Sequence, residues 1–366
     1  MSRYWRLTVI CVLAGLLSAA ALFGYDKRVS GVIVSTPVVQ QIYRQDTANS
    51  LNDPASTTPI TISAVGDCTI GYDYHSPLSG RFDTTLKTMK NDYGYCFSKV
   101  LPILAGDDLT IVNLETTLTR CRKPLDKGNE RAYWFKGDPA YTEILRKGSV
   151  EAAFFANNHG YDYGYAGFKD TLNYLDQAGI TSFGYQRKPV ITIKGVRVAL
   201  LGYNLVDAIE KGVKVSGVEA GMAKDIKTAR EVNGANLVIV NCHWGIEGKS
   251  KADQWQIAVA HSAIDAGADL VLGHHPHVVQ EVESYHGKMI AYSLGNFCFG
   301  GSRNPRDKDT FIFQQTFVFD QDNHCTDYSK ATVIPCLLSS SANRNDYCPM
   351  PVDGDIAKRI HARTGY

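Results

Sequence analysis

The sequence has almost no excess of charge of either sign. Its 38 Lys and Arg residues are offset by 37 Asp and Glu residues over 366 positions, which leaves a formal net charge of +1. It contains neither a polybasic block nor an acidic tail. A surface that binds nucleic acid, or that adheres electrostatically to lipid, requires such a concentration of charge. The composition therefore argues against both kinds of partner.

Long apolar runs are also scarce, and there is no internal repeat. The one long run extends from Leu7 to Phe23, behind Arg3 and Arg6. A basic start followed by an apolar run is typical of an export segment, and the length is near the lower limit for spanning a bilayer. We predict a signal peptide or an uncleaved membrane anchor over 1–28. The protein is then exported, either anchored at the outer face of the cytoplasmic membrane or secreted or periplasmic.

The remaining chain is divided by its composition. Residues 29–59 are polar and have no sustained hydrophobic period, which predicts a linker. Apolar residues make up 44% and charged residues 20% of the whole sequence, as in a globular protein. We predict one domain over 60–340 and a C-terminal tail over 341–366.

Cysteine, by contrast, is not scarce, because eight cysteines follow the apolar run 7–23. An even number in an exported chain permits disulfides, although the sequence does not give their connectivity. Cys68, Cys242 and Cys298 adjoin candidate site motifs, and we interpret them as small buried filler rather than as metal ligands. We expect at least one bridge among the other five: Cys96, Cys121, Cys325, Cys336 and Cys348.

Polar side chains follow several strand-like runs at the point where each run ends. In α/β folds, ligand chemistry is placed just past the carboxyl ends of the strands. A residue such as Asp67 could equally serve in a turn, because Gly-Asp is common in turns. The runs and the residues that follow them are 60–65 with Asp67, 109–112 with Glu115, 152–156 with Asn158 and His159, and 237–240 with His243.

Three of the ten histidines fall within four positions, 274–277. They follow the apolar run 270–272, which we predict to be a buried strand ended by a tight turn at Gly273. Side chains two positions apart on an extended segment point to the same side, so His275 and His277 should converge. Pro276 stiffens their spacing. Neutral imidazoles bind zinc, iron and manganese, so this pair is half of a candidate metal site.

Together these residues form a set of oxygen and nitrogen ligands that needs no thiolate. The set is large enough for two divalent ions, Mn, Fe or Zn, that share one carboxylate. Two-metal hydrolysis uses this arrangement. The predicted ligands are Asp67, Glu115, Asn158, His243, His275 and His277.

Six motifs, in this order, resemble those of the CapA family of poly-γ-glutamate capsule synthesis proteins, and the resemblance spans about 60–338. That family is related to the calcineurin-like metallophosphoesterases. The implied fold is α/β with four layers, in which two packed mixed β-sheets are flanked by helices. The motifs are Gly66-Asp67, Asn113-Leu114-Glu115, Ala156-Asn157-Asn158-His159 with Asp162-Tyr163-Gly164, His243-Trp244-Gly245 with Glu247, Gly267-Ala268-Asp269 with His275-Pro276-His277, and Ser293-Leu294-Gly295-Asn296-Phe297.

The resemblance implies a role for each site residue. His159 would stand beside the substrate, as general acid for the leaving oxygen or as a phosphate clamp. Glu115 would bridge both ions, in place of the aspartate usual in metallophosphoesterases. The other ligands would be Asp67 and His277 on the first ion, and Asn158, His243 and His275 on the second.

One position departs from the metallophosphoesterase pattern. Those enzymes usually have a histidine two residues after the first aspartate, and here that position is Thr69. The first ion would therefore have fewer ligands from the protein.

Three functions fit the sequence. The family resemblance favours a capsule-assembly component that handles an anionic polymer together with a membrane-bound synthase complex. The metal motifs favour an exported, metal-dependent phosphoesterase acting on a phosphorylated small molecule. Thr69 favours a metal-stabilised binding protein without turnover. Of the possible activities, phosphoesterase-type hydrolysis is the one we expect.

Overall fold

The computed structural model describes residues 57–366, so the predicted export segment and nearly all of the predicted linker lie outside the described residues. Within 57–366, no helix is both long and apolar enough to cross a membrane. The strands in chain order are β1 (Thr58–Thr69), β2 (Tyr72–Asp73), β3 (Leu109–Leu114), β4 (Thr117–Leu118), β5 (Phe135–Gly137), β6 (Ala152–Phe154), β7 (Thr181–Phe183), β8 (Val190–Ile193), β9 (Val196–Asn204), β10 (Leu237–His243), β11 (Leu270–His274), β12 (Val282–Tyr285), β13 (Lys288–Ala291), β14 (Asn296–Phe299), β15 (Asp309–Phe319), β16 (Cys325–Leu337) and β17 (Met350–Pro351).

The helices fall mainly between parallel strands, as crossover connections require. They are α1 (Phe82–Thr88), α2 (Leu101–Leu104), α3 (Thr142–Lys147), α4 (Gly164–Gln177), α5 (Leu205–Glu210), α6 (Val215–Glu231), α7 (Gln254–Asp265) and α8 (Gly354–Thr364), with a 3₁₀ turn at Pro139–Tyr141.

Two large mixed sheets form the centre of the domain. The first has the order β17-β16-β15-β1-β3-β6-β7, with β14 pairing alongside the end of β1. The second has the order β12-β13-β11-β10-β9-β8. In both sheets the central strands run parallel and an antiparallel hairpin lies toward the edge, β15–β16 in the first and β8–β9 in the second. A third, small sheet has the order β2-β5-β4.

Each large sheet has apolar side chains on both faces. One face packs against the other sheet and the opposite face packs against helices. On β1, Ile60, Ile62 and Ala64 belong to the core between the sheets, whereas Val65 and Cys68 face the helical layer that contains α1 to α4. Strands β9 and β10 alternate in the same way between the shared core and a layer formed by α6 and α7. Successive side chains on a strand point to opposite faces, so strands buried on both faces read as continuous apolar runs. The predicted four-layer α/β fold is confirmed.

The C-terminal segment, predicted as a tail, packs on this domain. Strand β17 pairs with β16, and α8 lies against β15 and β16 with Ile360 fully buried. Arg359 and Arg363 from α8 hydrogen bond to Asp309 at the start of β15. The apolar stripe of α8 is short, because most of its residues are charged or small, and its attachment depends on these arginines.

All eight described cysteines are free, so the expected disulfide among Cys96, Cys121, Cys325, Cys336 and Cys348 is wrong in this structure. The thiols of Cys325, Cys336 and Cys348 instead donate to backbone carbonyls 3.4–3.5 Å away, those of Asp327, Ile334 and Tyr95. Cys68, Cys242 and Cys298 are buried among apolar side chains, as filler would be.

Candidate metal centre

Parallel strand ends from both sheets deliver the site residues to one place. In the first sheet, Asp67 on β1 is in register with Asn113 on β3, which places Glu115 one step beyond the strand end. In the second sheet, His243 on β10 is in register with His274 on β11. Because the carboxyl ends of both sets of strands meet at one edge, Asp67 and His275, 208 positions apart in the chain, become neighbours.

The first group of donor atoms comes from Asp67, Glu115 and His277. One potential ligand atom from each lies within 4.8 Å of the other two. Nδ1 of His277 is 3.0 Å from Oδ2 of Asp67, and its Nε2 is 3.7 Å from Oε1 of Glu115. Asn113 donates to the other carboxylate oxygen of Asp67 at 2.8 Å.

The second group contains Glu115, His243 and His275, again within 4.8 Å of one another. Nε2 of His243 is 2.9 Å from Oδ1 of Asn158 and 3.5 Å from Oε1 of Glu115. The two imidazole centroids are 4.7 Å apart. The structure therefore brings all six predicted ligands together, in the two groups that the resemblance implies and with Glu115 in both.

The histidine segment does not reach this geometry in the way that alternation predicts. Strand β11 continues through Gly273 to His274, and His275 and His277 then have positive φ angles of 96° and 59°. Residues other than glycine rarely adopt positive φ angles, and backbone strain of this kind is concentrated at functional sites. Gly273 is required by close approach rather than by a turn, because a Cβ there would lie 2.0 Å from the carbonyl oxygen of Tyr292.

Glu115 provides the test of whether these residues suit a cation. Its side chain is fully buried, and neither carboxylate oxygen accepts a hydrogen bond. Burial, which outweighs attraction from His277, raises the pKa of this carboxyl well above its usual value. A buried carboxylate without partners is strongly unfavourable unless a cation neutralises it. Nδ1 of His275 is likewise buried without a partner. The donor set therefore fits divalent metal ions.

The protonation states of His243 and His275 also suit metal ligation, whereas His277 would have to lose a proton before it could bind an ion. Burial lowers the pKa of His275 to about 3 and that of His243 well below its usual value, so both are neutral, as ligation requires. Burial alone would raise the pKa of Asp67, but its interactions with the nearby imidazoles of His274 and His277 hold it well below its usual range. Burial opposes the charge on His277, yet Glu115 and Asp67 together raise its pKa to about 10.

His159 stands at the mouth of the centre, outside both ligand groups. Its ring stacks on Phe135 with centroids 4.0 Å apart, and its Nδ1 lies 2.7 Å from Oδ2 of Asp162. An imidazole whose Nδ1–H donates to a carboxylate presents Nε2 in a fixed direction. The side chain is 7% exposed, and it lines an open cavity of about 420 Å³ together with His277.

Asp162, which belongs to the third sequence motif, is bonded to His159 and Phe135 rather than to the helix that follows it. Helix α4 begins at Gly164 after Tyr163, and no side chain caps it. Asp162 is fully buried and instead accepts from His159 and from the backbone N–H of Phe135, while Lys127 lies 2.6 Å from its Oδ1. The spacing from His159 to Asp162 was the available signal for this pair.

Thr69 and Glu247 occupy positions that the sequence left without a settled role. The Thr69 hydroxyl is buried and donates to the backbone carbonyl of Glu115 at 3.1 Å, so it helps to hold the backbone of that residue in place. Glu247 lies on the loop after β10, and its carboxylate reaches within 4.8 Å of ring nitrogens of His275 and His277.

The basic loop residues Arg120 and Arg122 line a separate cavity of about 430 Å³.

The two facing mixed sheets, the helical outer layers and the carboxylates and histidines at the strand ends define an α/β protein with a metallophosphoesterase-like fold. Comparison with known families identifies the group within that class. The family model described as bacterial capsule synthesis protein PGA_cap matches residues 61–301. The chain belongs to this family, which is the CapA family.

Individual relatives agree with this assignment. The chain is 31% identical over 275 residues to the capsule biosynthesis protein CapA of Bacillus anthracis, covering 70% of this chain and 63% of that protein. It is 32% identical over 219 residues to the PGA biosynthesis protein CapA of Bacillus subtilis, covering 56% of each. A Mycobacterium tuberculosis protein named "Probable polyglutamine synthesis accessory protein" is 29% identical over 231 residues, 56% of this chain and 60% of that one. The chain thus spans about 60% of the length of these relatives.

Proposed function

We propose that this protein takes part in the synthesis or export of a poly-γ-glutamate-type capsule polymer, with a metal-dependent, hydrolase-type site facing outward from the cell. The names of the relatives, which refer to capsule and PGA biosynthesis, support a role with this polymer. The predicted export segment supports a site outside the cell. The partners would be the anionic polymer and a membrane-bound synthase complex. A metal-stabilised scaffold without turnover is the competing function for the same residues.

The main evidence for a metal site is the environment of Glu115. A fully buried carboxylate without a hydrogen-bond donor, placed between two groups of imidazole and carboxylate atoms, is suited to bridging two cations. Asp67 and His277 would hold one ion, and Asn158, His243 and His275 the other. When bound, such ions supply a nucleophile at neutral pH and stabilise the charge of an in-line displacement.

His159 supports turnover as well as binding. Asp162 fixes its Nδ1 and Phe135 fixes its ring plane, so Nε2 can hold a proton for a leaving oxygen. Lys127 balances the buried charge of Asp162 from the other side. A scaffold would not require an imidazole oriented in this way, and this arrangement favours a phosphoester or a similar ester as substrate.

The decisive experiment changes His159 to Asn and compares hydrolysis of aryl phosphates and phosphodiesters with metal content. General acid catalysis contributes about 10²–10⁴ in rate, so turnover should fall by that factor while metal content stays near the wild-type value. His261 on α7, which pairs with Glu283 on β12, supplies the matched control His261→Asn, which should retain activity.

The capsule role is tested separately, by complementation in a capsule-producing host. If wild-type protein shows no metal-dependent hydrolysis across a broad panel and His159→Asn still restores the capsule, the hydrolase proposal is wrong and the scaffold function stands. Loss of both hydrolysis and capsule in the folded variant supports an enzyme.

A further inference from the structure

A third group of donor atoms lies on the open side of the centre. The carboxylate of Glu247 and ring nitrogens of His275 and His277 fall within 4.8 Å of one another. Glu247 is solvent-exposed and lines the same cavity as His159. The group faces the solvent, whereas the two groups that share Glu115 lie beneath it.

The loop that bears Glu247 is fastened to the histidine segment by its backbone. The N–H of Trp244 donates to the carbonyl of His274 at 3.0 Å, and that of Gly248 donates to the carbonyl of Pro276 at 2.8 Å. Farther along, the side-chain amide of Gln280 donates to the carbonyl of Lys249 at 2.7 Å. These bonds flank Glu247 on both sides, so its backbone position is fixed relative to both imidazoles.

Within the described residues, the Glu247 carboxylate makes no contact that would stabilise the fold. Within residues 57–366 it makes no hydrogen bond or ion pair, although Lys249 and Lys251 are close in sequence and pair with Asp253 and Glu281 instead. An acidic group so placed adds negative charge beside Glu115, which is already a buried carboxylate without a donor. This charge is unfavourable in the metal-free protein and favourable beside a cation.

The third group shares His277 with the first group and His275 with the second, so Glu247 lies beside a proposed ligand of each ion. We propose that Glu247 is a seventh metal ligand, which reaches the centre from the solvent side beside His275 and His277. The inference rests on the proposed metal site and concerns which residues hold the ion, independently of turnover.

The test is equilibrium binding of Mn²⁺ or Zn²⁺, each used alone, to wild-type protein and to Glu247→Gln. Gln keeps the shape and loses the charge, so we expect the affinity for one ion to fall at least about tenfold, the lower range for changes around metal sites. Glu247→Asp, which keeps the carboxylate, should recover part of the loss. Glu231→Gln removes the same charge from an exposed position on α6 and should bind like the wild type.

Two negative results are distinguishable. If Glu247→Gln binds both metals as tightly as the wild type, while His243→Ala with His275→Ala loses them, Glu247 is not a ligand and the six-ligand site stands. If the wild-type protein binds neither metal, both the metal site and the role of Glu247 are wrong.

Discussion

Glu115 and Asp309 are both buried carboxylates at ends of strands in the same sheet, yet their surroundings are opposite. Asp309 is 4% exposed and accepts from Arg359 at 2.6 and 2.9 Å and from Arg363 at 2.9 Å. Burial would raise its pKa, but these two arginines lower it below the usual value. Glu115 is fully buried and accepts no hydrogen bond, and burial raises its pKa.

The difference separates structural from functional burial of charge. A buried carboxylate is tolerated when donors replace the water that it has lost, and arginine does this with paired N–H groups. Asp309 has such partners, and they attach α8 to β15. Glu115 has histidines nearby, but two of them, His243 and His275, are held neutral by burial. The third, His277, is charged but lies 3.7 Å from Glu115 and donates no hydrogen bond to it. We propose that a cation from solution is the missing partner.

The largest effect should come from replacing Glu115. Saturating Mn²⁺ or Zn²⁺ at 100 times its Kd should stabilise the wild-type protein by about 2.7 kcal/mol. Glu115→Gln should lose most of this gain. Without metal the same variant should be at least as stable as the wild type, because an amide replaces a carboxyl whose burial is unfavourable. Chemical unfolding with and without EDTA measures both effects.

The comparison fails if EDTA leaves the stability of the wild type unchanged, or if metal stabilises Glu115→Gln as much as the wild type. Thr116, the next residue in the chain and also buried, gives a matched control as Thr116→Val, which should keep the response to metal.

A smaller effect, independent of metal, is expected at Asp309. Asp309→Ala removes one of the two carboxylates that pair with the partly buried Arg363, which keeps Asp307 at 2.7 Å. It also removes the partner of Arg359, whose side chain is 55% exposed. Hydrogen bonds to charged groups contribute about 1.5–3 kcal/mol each, and solvent screening at Arg359 reduces this, so we expect a loss of about 2 kcal/mol. The loss should be equal in EDTA and in Mn²⁺. A loss that metal reverses would contradict the separation of the two regions.

The sequence predicts the parts of this comparison that depend on strand pattern. Buried runs followed by Asp67, Glu115 and His243 predict the strand ends, and parallel strands bring such ends together. The pairing of Asp309 with α8 could not be predicted, because the polar helix has only a short apolar stripe and depends on contacts about 50 residues apart in the chain.

Loop geometry is the other part that the sequence hides. The positive φ angles of His275 and His277 arise from packing of both sheets around the centre, and local preference opposes them. His159 and Asp162 are three residues apart in a turn, and this spacing alone does not specify that their side chains form a hydrogen bond. The proposed bridging role of Glu115 comes from the family resemblance, since a carboxylate after a strand is equally suited to a turn.

Asp107 gives the smallest effect and sharpens the comparison, because its pKa is raised without a metal site nearby. It lies before β3, where burial, partly offset by hydrogen bonds from Ser63 and Thr110, raises its pKa to about 6. The protonated form is thus favoured in the folded state. Its contribution to stability is complete below the unfolded pKa, near 4, and is lost as the pH rises through about 6.

Between pH 4 and pH 6 this loss should be under about 1 kcal/mol, since the site is partly open to solvent. Asp107→Asn should remove that part of the pH dependence, and EDTA should not alter it. Urea unfolding at pH 4, 5 and 6 measures the slope, with Asp355→Asn on the exposed face of α8 as the control that keeps it. A slope that persists in Asp107→Asn would assign it to another carboxyl. A slope that responds to EDTA would show that a raised carboxyl pKa is not enough to tell a merely buried acid from a metal ligand.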